Sequence, residues 1–105
     1  MKKYIKKPTI VEAIQLKERN ILEVYTEMFG KPDLSSRIAS DKWDEYEEIV
    51  KRDGIKIKTP ESDGETQIAK INDYIVFGYS PELGRHFWPV KPDYFKLNYK
   101  RYKNG

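Results

Sequence analysis

The stretch from Asn72 to Phe95, NDYIVFGYSPELGRHFWPVKPDYF, decides how the rest of the chain is read. Tyr74 to Tyr79 is aromatic and β-branched, as a strand is. Ser80-Pro81-Glu82-Leu83-Gly84 joins it to a second run beginning at Arg85, and that connection is longer than the two-residue turn of the tightest hairpins. Pro89 and Pro92 bracket Val90-Lys91. Each proline lacks a backbone N–H and biases the preceding residue away from helix, so the second strand ends in a rigid corner. Pro92 suits the first position of a short helical turn carrying Asp93, Tyr94 and Phe95. The reading is an aromatic β-hairpin that runs into a Lys-Pro-Asp corner.

Upstream of the hairpin, Ile55 to Thr59 alternates apolar residues with lysine, Pro60 to Gly64 is turn-rich, and Thr66 to Ile71 resumes the strand pattern before Asn72-Asp73 turns the chain. The second half therefore reads as a β-meander. Near the start, Thr9 to Leu16 is a further β-rich run in which neither face is wholly polar, as in a strand covered on both sides, with Glu12 and Gln15 as its polar exceptions. Asn98 to Tyr102 suggests a last edge strand.

Two helices separate the first strand from the others. Asn20 and Glu23 have capping-box spacing, and Ile21, Val24, Tyr25, Met28 and Phe29 recur at helical intervals until Gly30 and Pro32 supply a stop. A second helix is expected from Ser40 or Asp41, with Trp43, Tyr46, Ile49 and Val50 on one side and Asp53-Gly54 at its end. Acids early in that helix and Lys51 and Arg52 near its end match the helix dipole. The whole is an α+β fold in one domain, residues 1–105: a small antiparallel sheet or partly open barrel with two helices inserted after the first strand.

Composition excludes several chemistries. The 105 residues contain no cysteine, which removes disulfides, thiolate catalysis and zinc-thiolate sites. His86 is the only histidine, and no G-x-S-x-G, Walker A, G-x-G-x-x-G or EF-hand pattern occurs. Eight tyrosines, four phenylalanines and two tryptophans must supply much of the core. No apolar run is long enough for a signal peptide or a bilayer span, so the expectation is a soluble, cytoplasmic protein without a membrane partner. The net charge of +3 is unevenly spread: lysines crowd the N-terminus, Lys and Arg crowd the end, and Asp41, Asp44, Glu45, Glu47 and Glu48 make the middle acidic.

What remains is binding. Tyr79, Arg85, His86, Trp88 and Lys91 mix flat rings with cationic donors, the groups that stack on a base and hold a phosphate. The same rings also serve to fill the core of a small β-rich domain.

The motifs KKYIKKPTIVEAIQL, NDYIVFG and FWPVKPDYFKLNY resemble those of a widespread group of small bacteriophage and prophage proteins. The resemblance rests on Tyr4, Lys6, Lys7, Pro8, Val11, Glu12, Ala13 and Gln15, on Asp73, Tyr74, Ile75 and Gly78, and on Pro89, Lys91, Pro92, Asp93 and Phe95. Asn72 stands where that group carries Gly, and the connection after Tyr79 is longer than the group's short turn. The resemblance implies no catalytic residue. It implies a phage setting, the cytoplasm of an infected bacterium, where small proteins without enzyme motifs act against host defence.

The first functional expectation is accordingly a non-enzymatic protein that sequesters a small anionic nucleotide-type signal. In it Lys6, Lys7, Arg85 and Lys91 hold phosphate, Trp88 or Tyr79 stacks on a base with His86 beside them, and Glu12, Gln15 or Asp93 reads ribose or base edges. The second is an inhibitor that docks on a host defence protein through the acidic helix from Asp41 to Glu48 or through the hairpin. The third is a nucleic-acid-binding module. No cofactor and no metal are expected, and self-association is left open.

Overall fold

A computed structural model of the chain describes residues 1–3, 9–58 and 65–102. Among these residues are five strands and three helices, and the fold is α+β without a closed barrel. Strand β1 (Glu12–Gln15) leads through a 3-10 turn into α1 (Ile21–Phe29) and then α2 (Arg37–Asp53). Strands β2 (Ile55–Lys58) and β3 (Thr66–Ala69) form one hairpin, β4 (Tyr74–Ser80) and β5 (Gly84–Val90) another, and α3 (Pro92–Asn98) follows the proline corner. The two helices thus lie between the first strand and the rest, as expected.

The strands divide differently from a meander. β4 pairs antiparallel with β5 on one side and with β1 on the other, giving the order β1-β4-β5, while β2 and β3 pair only with each other. The break falls between β3 and β4. There Lys70 to Asp73 makes a tight turn, and Asn72 takes a positive φ of 83°. The β2–β3 ribbon lies against β5. Pro89, which has no N–H to donate, pairs with Ile75 from within β5, at the edge of the three-stranded sheet.

Burial follows the side-chain periodicities. Ile55 and Ile57 are buried while Lys56 and Lys58 are exposed, the period of two expected of a half-covered strand. Ile21, Val24 and Met28 of α1 pack with Leu16, Val50, Ile75 and Phe77 in one core, and each fully buried aliphatic side chain there contributes about 1.5–3 kcal/mol of transfer free energy. Gly54 ends α2 with φ 87°. A side chain there would place its Cβ 2.5 Å from the carbonyl oxygen of Ala69, so only glycine lets the helix turn directly into the ribbon.

Several boundaries differ from the sequence reading. β1 spans only Glu12–Gln15, and Glu12 and Ala13 are exposed rather than covered on both sides. Asn20 makes no capping bond to α1. It faces backwards: its Oδ1 accepts from the Lys17 N–H at 2.7 Å and its Nδ2 donates to the Gln15 carbonyl at 2.9 Å, closing the turn before the helix. α2 begins at Arg37, because Ser36 Oγ accepts from the Ala39 N–H at 3.1 Å and caps it earlier than Ser40 would. Its first turn therefore carries no acid. Asn98 ends α3, and no strand forms from 98 to 102. The turn-rich 60–64 lies outside the described residues.

Candidate functional site

Three of the polar residues singled out by sequence, Gln15, Arg85 and Lys91, are drawn into two structural junctions. At the first, Gln15 Nε2 donates to the Asn72 carbonyl at 2.9 Å and Lys17 Nζ donates to Asn72 Oδ1 at 2.7 Å. Leu16 N–H bonds the Asp73 carbonyl and Asn72 N–H bonds the Leu16 carbonyl, at 2.8 and 2.7 Å. Asp73 is 4% exposed, and its Oδ2 accepts from the Lys70 N–H at 2.9 Å and from Lys91 Nζ at 2.7 Å. Lys91, expected to hold phosphate, neutralises a buried carboxylate and clamps the end of β5 to the turn before β4.

The second junction is at the hairpin tip. Arg85 donates from Nη2 to the Glu27 carboxylate and from Nη1 to the Glu27 carbonyl, both at 3.3 Å, and its guanidinium lies 4.6 Å from the Phe77 ring centre. It thereby ties the hairpin to the C-terminal part of α1.

Strand alternation separates the remaining candidates. Register partners share a sheet face, so Ile75, Phe77 and Tyr79 point to the same side as Phe87 and Arg85, the side that meets α1. Val76 and Gly78 point to the other, with His86 and Trp88. Tyr79 is exposed beside Arg85, whereas His86 and Trp88 are half-buried with ring centres 5.3 Å apart. Glu12 is exposed on β1, and Asp93 is exposed in the first turn of α3. Hence Tyr79 and Arg85 form one pair and His86 and Trp88 another, Gln15 and Lys91 both belong to the Asn72–Asp73 junction, and Lys6 and Lys7 lie outside the described residues.

A third region was read from sequence only as packing. Between α1 and α2, Tyr25 sits among Phe29, Trp43 and Tyr46 at centroid distances of 5.1, 5.0 and 5.4 Å, tilted or edge-on to each, and Trp43 lies 5.3 Å from Tyr46. Such tilted and edge-to-face contacts suit the ring quadrupoles. Desolvation, with a smaller contribution from the neighbouring Tyr25, raises the pKa of Tyr46 above the ordinary phenol value.

Open depressions flank this array on both sides. One, of about 480 Å³, is bounded by Tyr25, Trp43 and Tyr46 with Asp33, Ile38 and Lys42; the other, of about 490 Å³, by Tyr25, Phe29 and Tyr46 with Ile49, Asp53 and Lys56. Ile38 is 72% exposed, Phe29 50% and Ile49 46%. Asp33 caps its own turn, accepting from the Ser35 hydroxyl at 2.6 Å and the Ser35 N–H at 2.9 Å, and these bonds hold its pKa below the usual carboxylate value. The spacings Tyr25/Phe29 and Trp43/Tyr46 were the available signal; the sequence could not show that the stripes meet at the surface.

Among the described residues no group of three or more His, Asp or Glu could hold a metal ion, and no helix is long and apolar enough to cross a membrane. Fold and site together define an α+β domain with an aromatic cleft open to solvent between two helices. Comparison with protein-family models, curated proteins and solved structures gives no match to the chain.

Proposed function

We propose that this chain is a non-enzymatic binding protein that docks on another protein through the aromatic face of α1 and α2. The observation that carries the reading is the Tyr25–Trp43–Tyr46 array, flanked by two open depressions and by exposed Ile38, Phe29 and Ile49. Clustered aromatic anchors with apolar pockets are what energetic centres of protein interfaces are made of. The rim of the depressions carries both signs of charge, Asp33 with Lys42 at one and Asp53 with Lys56 at the other, while the helical period puts Asp41, Asp44, Glu45 and Glu48 on the opposite side of α2. The complementary partner is therefore an amphipathic segment whose apolar side chains fill the depressions. The resemblance to phage proteins points to the defences of an infected bacterium as the source of that partner.

Sequestration of a small anionic nucleotide by the hairpin has less support. Arg85 and Lys91 each already hold a carboxylate, and the hairpin rings are divided between two sheet faces.

The test uses Trp43 as its own probe in a Trp88→Phe background. An amphipathic Leu/Gln helical peptide should change the Trp43 emission, a counterpart of the same composition scrambled to have no apolar face should not, and Tyr46→Ala should weaken the amphipathic peptide by about 2 kcal/mol, the usual scale of an interface anchor. Equal response to both peptides, or no response to either, would sink the proposal.

A further inference from the structure

α3 builds a different aromatic arrangement at the other end of the molecule's chemistry. Tyr74 of β4 stacks on Phe95 with ring centres 3.8 Å apart and planes 6° apart, and Phe95 stacks on Tyr99 at 4.8 Å and 11°. Every other ring pair among the described residues is inclined by at least 32°. Side-chain rings ordinarily prefer offset or edge-to-face contact. Three nearly parallel rings form instead a column of the kind that stacked bases form.

The backbone holds the column in place. Tyr74 is fixed in β4 opposite Val90, Phe95 and Tyr99 are one helical turn apart, and the Tyr99 N–H closes that turn on the Phe95 carbonyl at 2.9 Å. Tyr99, half-buried, is the last ring of the column.

The charges around it have one sign. Lys96, Lys100 and Arg101 are exposed and interleaved with Tyr94, Tyr99 and Tyr102, and none of the three is paired with a carboxylate among the described residues. Asp93 is the only acid from 91 to 102. By strand alternation Trp88 stands on the same face of the three-stranded sheet as Tyr74, on the next position along it.

We propose that this end of the molecule binds single-stranded nucleic acid. A base extends the column by stacking on Tyr99, while Lys96, Lys100 and Arg101 follow the phosphates. A ring column with interleaved cations is suited to an unpaired strand, whose base faces are free, and stacking of this kind tolerates any base. A duplex keeps its base faces covered, so it would meet the cations alone.

Fluorescence anisotropy with labelled oligo-dT, oligo-rU and a duplex of the same length tests this on the full chain. Both single strands should bind more tightly than the duplex, and whichever of dT and rU is tighter identifies the natural source. Tyr99→Ala should weaken single-strand binding about tenfold, with Tyr99→Phe retaining it, since stacking needs the ring and not the hydroxyl. Lys100→Gln with Arg101→Gln, both exposed and so leaving the fold intact, should reduce the salt slope by about 1.4. No single-strand binding at low salt overturns the proposal. So does equal affinity for duplex and single strand, or binding that neither the Tyr99→Ala nor the glutamine variant alters.

Discussion

The turn at Asp73 and the face between α1 and α2 are built from opposite materials and leave opposite residues unused. At the turn, the side chains of Gln15, Lys17, Asn20, Asp73 and Lys91 all find partners on other segments of the same chain, and their hydrogen-bonding capacity goes into joining β1, β4 and β5. Between the helices, Tyr25, Trp43 and Tyr46 pack on one another, Trp43 and Tyr46 also rest on the core, and Phe29, Ile38 and Ile49 around them stay open to solvent. Charge and polarity in a sequence are therefore poor guides to a site until partners are known.

The sharpest way to break this contrast is Asp73→Ala. It leaves the Lys70 N–H and Lys91 ammonium without their shared acceptor and should lower stability by about 2 kcal/mol in urea unfolding, with no effect on peptide binding at the helices. A loss as small as that of a typical surface charge would mean that the turn is no more committed to structure than the helix face. Arg85→Ala should cost less, about 1 kcal/mol at most, because its ion pair with Glu27 is half exposed and only its contact with Phe77 is sheltered. A cost as large as that of Asp73→Ala would place the hairpin tip with the turn as a structural clamp.

The smallest expected effect concerns pH. Tyr46 has a raised folded-state pKa, so folding favours its neutral form. The stability this contributes is complete below the ordinary phenol value near about 10 and is lost as pH rises through the raised folded value. Alkaline difference spectroscopy should show a late-titrating phenol that Tyr46→Phe removes. If all phenols titrate together, the face between the helices is wetter than its ring packing implies.

Much of the fold was legible because it rests on local periodicity. The α1 stripe, the Ile55/Ile57 alternation and the placement of Pro92 at the start of a helix all follow from neighbours a few residues apart. What sequence did not disclose depends on contacts across the chain. Asp73 and Lys91 are 18 residues apart, Arg85 and Glu27 are 58 apart, and β4 takes β1 rather than β3 as its second partner. The site followed the same rule. Alternation alone would have divided Arg85 from His86 and Trp88, but that Tyr25 and Phe29 would meet Trp43 and Tyr46 beside open depressions required the packing of one helix on another.

Gly78 carries one further consequence. The Trp88 indole lies across it, so a Cβ at position 78 would come within 2.9 Å of the Trp88 Cη2 atom. Positions 78 and 88 divide a single volume between two strands, and a side chain at 78 requires the Trp88 ring to shift or to shrink. Gly78→Ala and Trp88→Leu should then be non-additive in a double-mutant cycle, each relieving part of the other's cost.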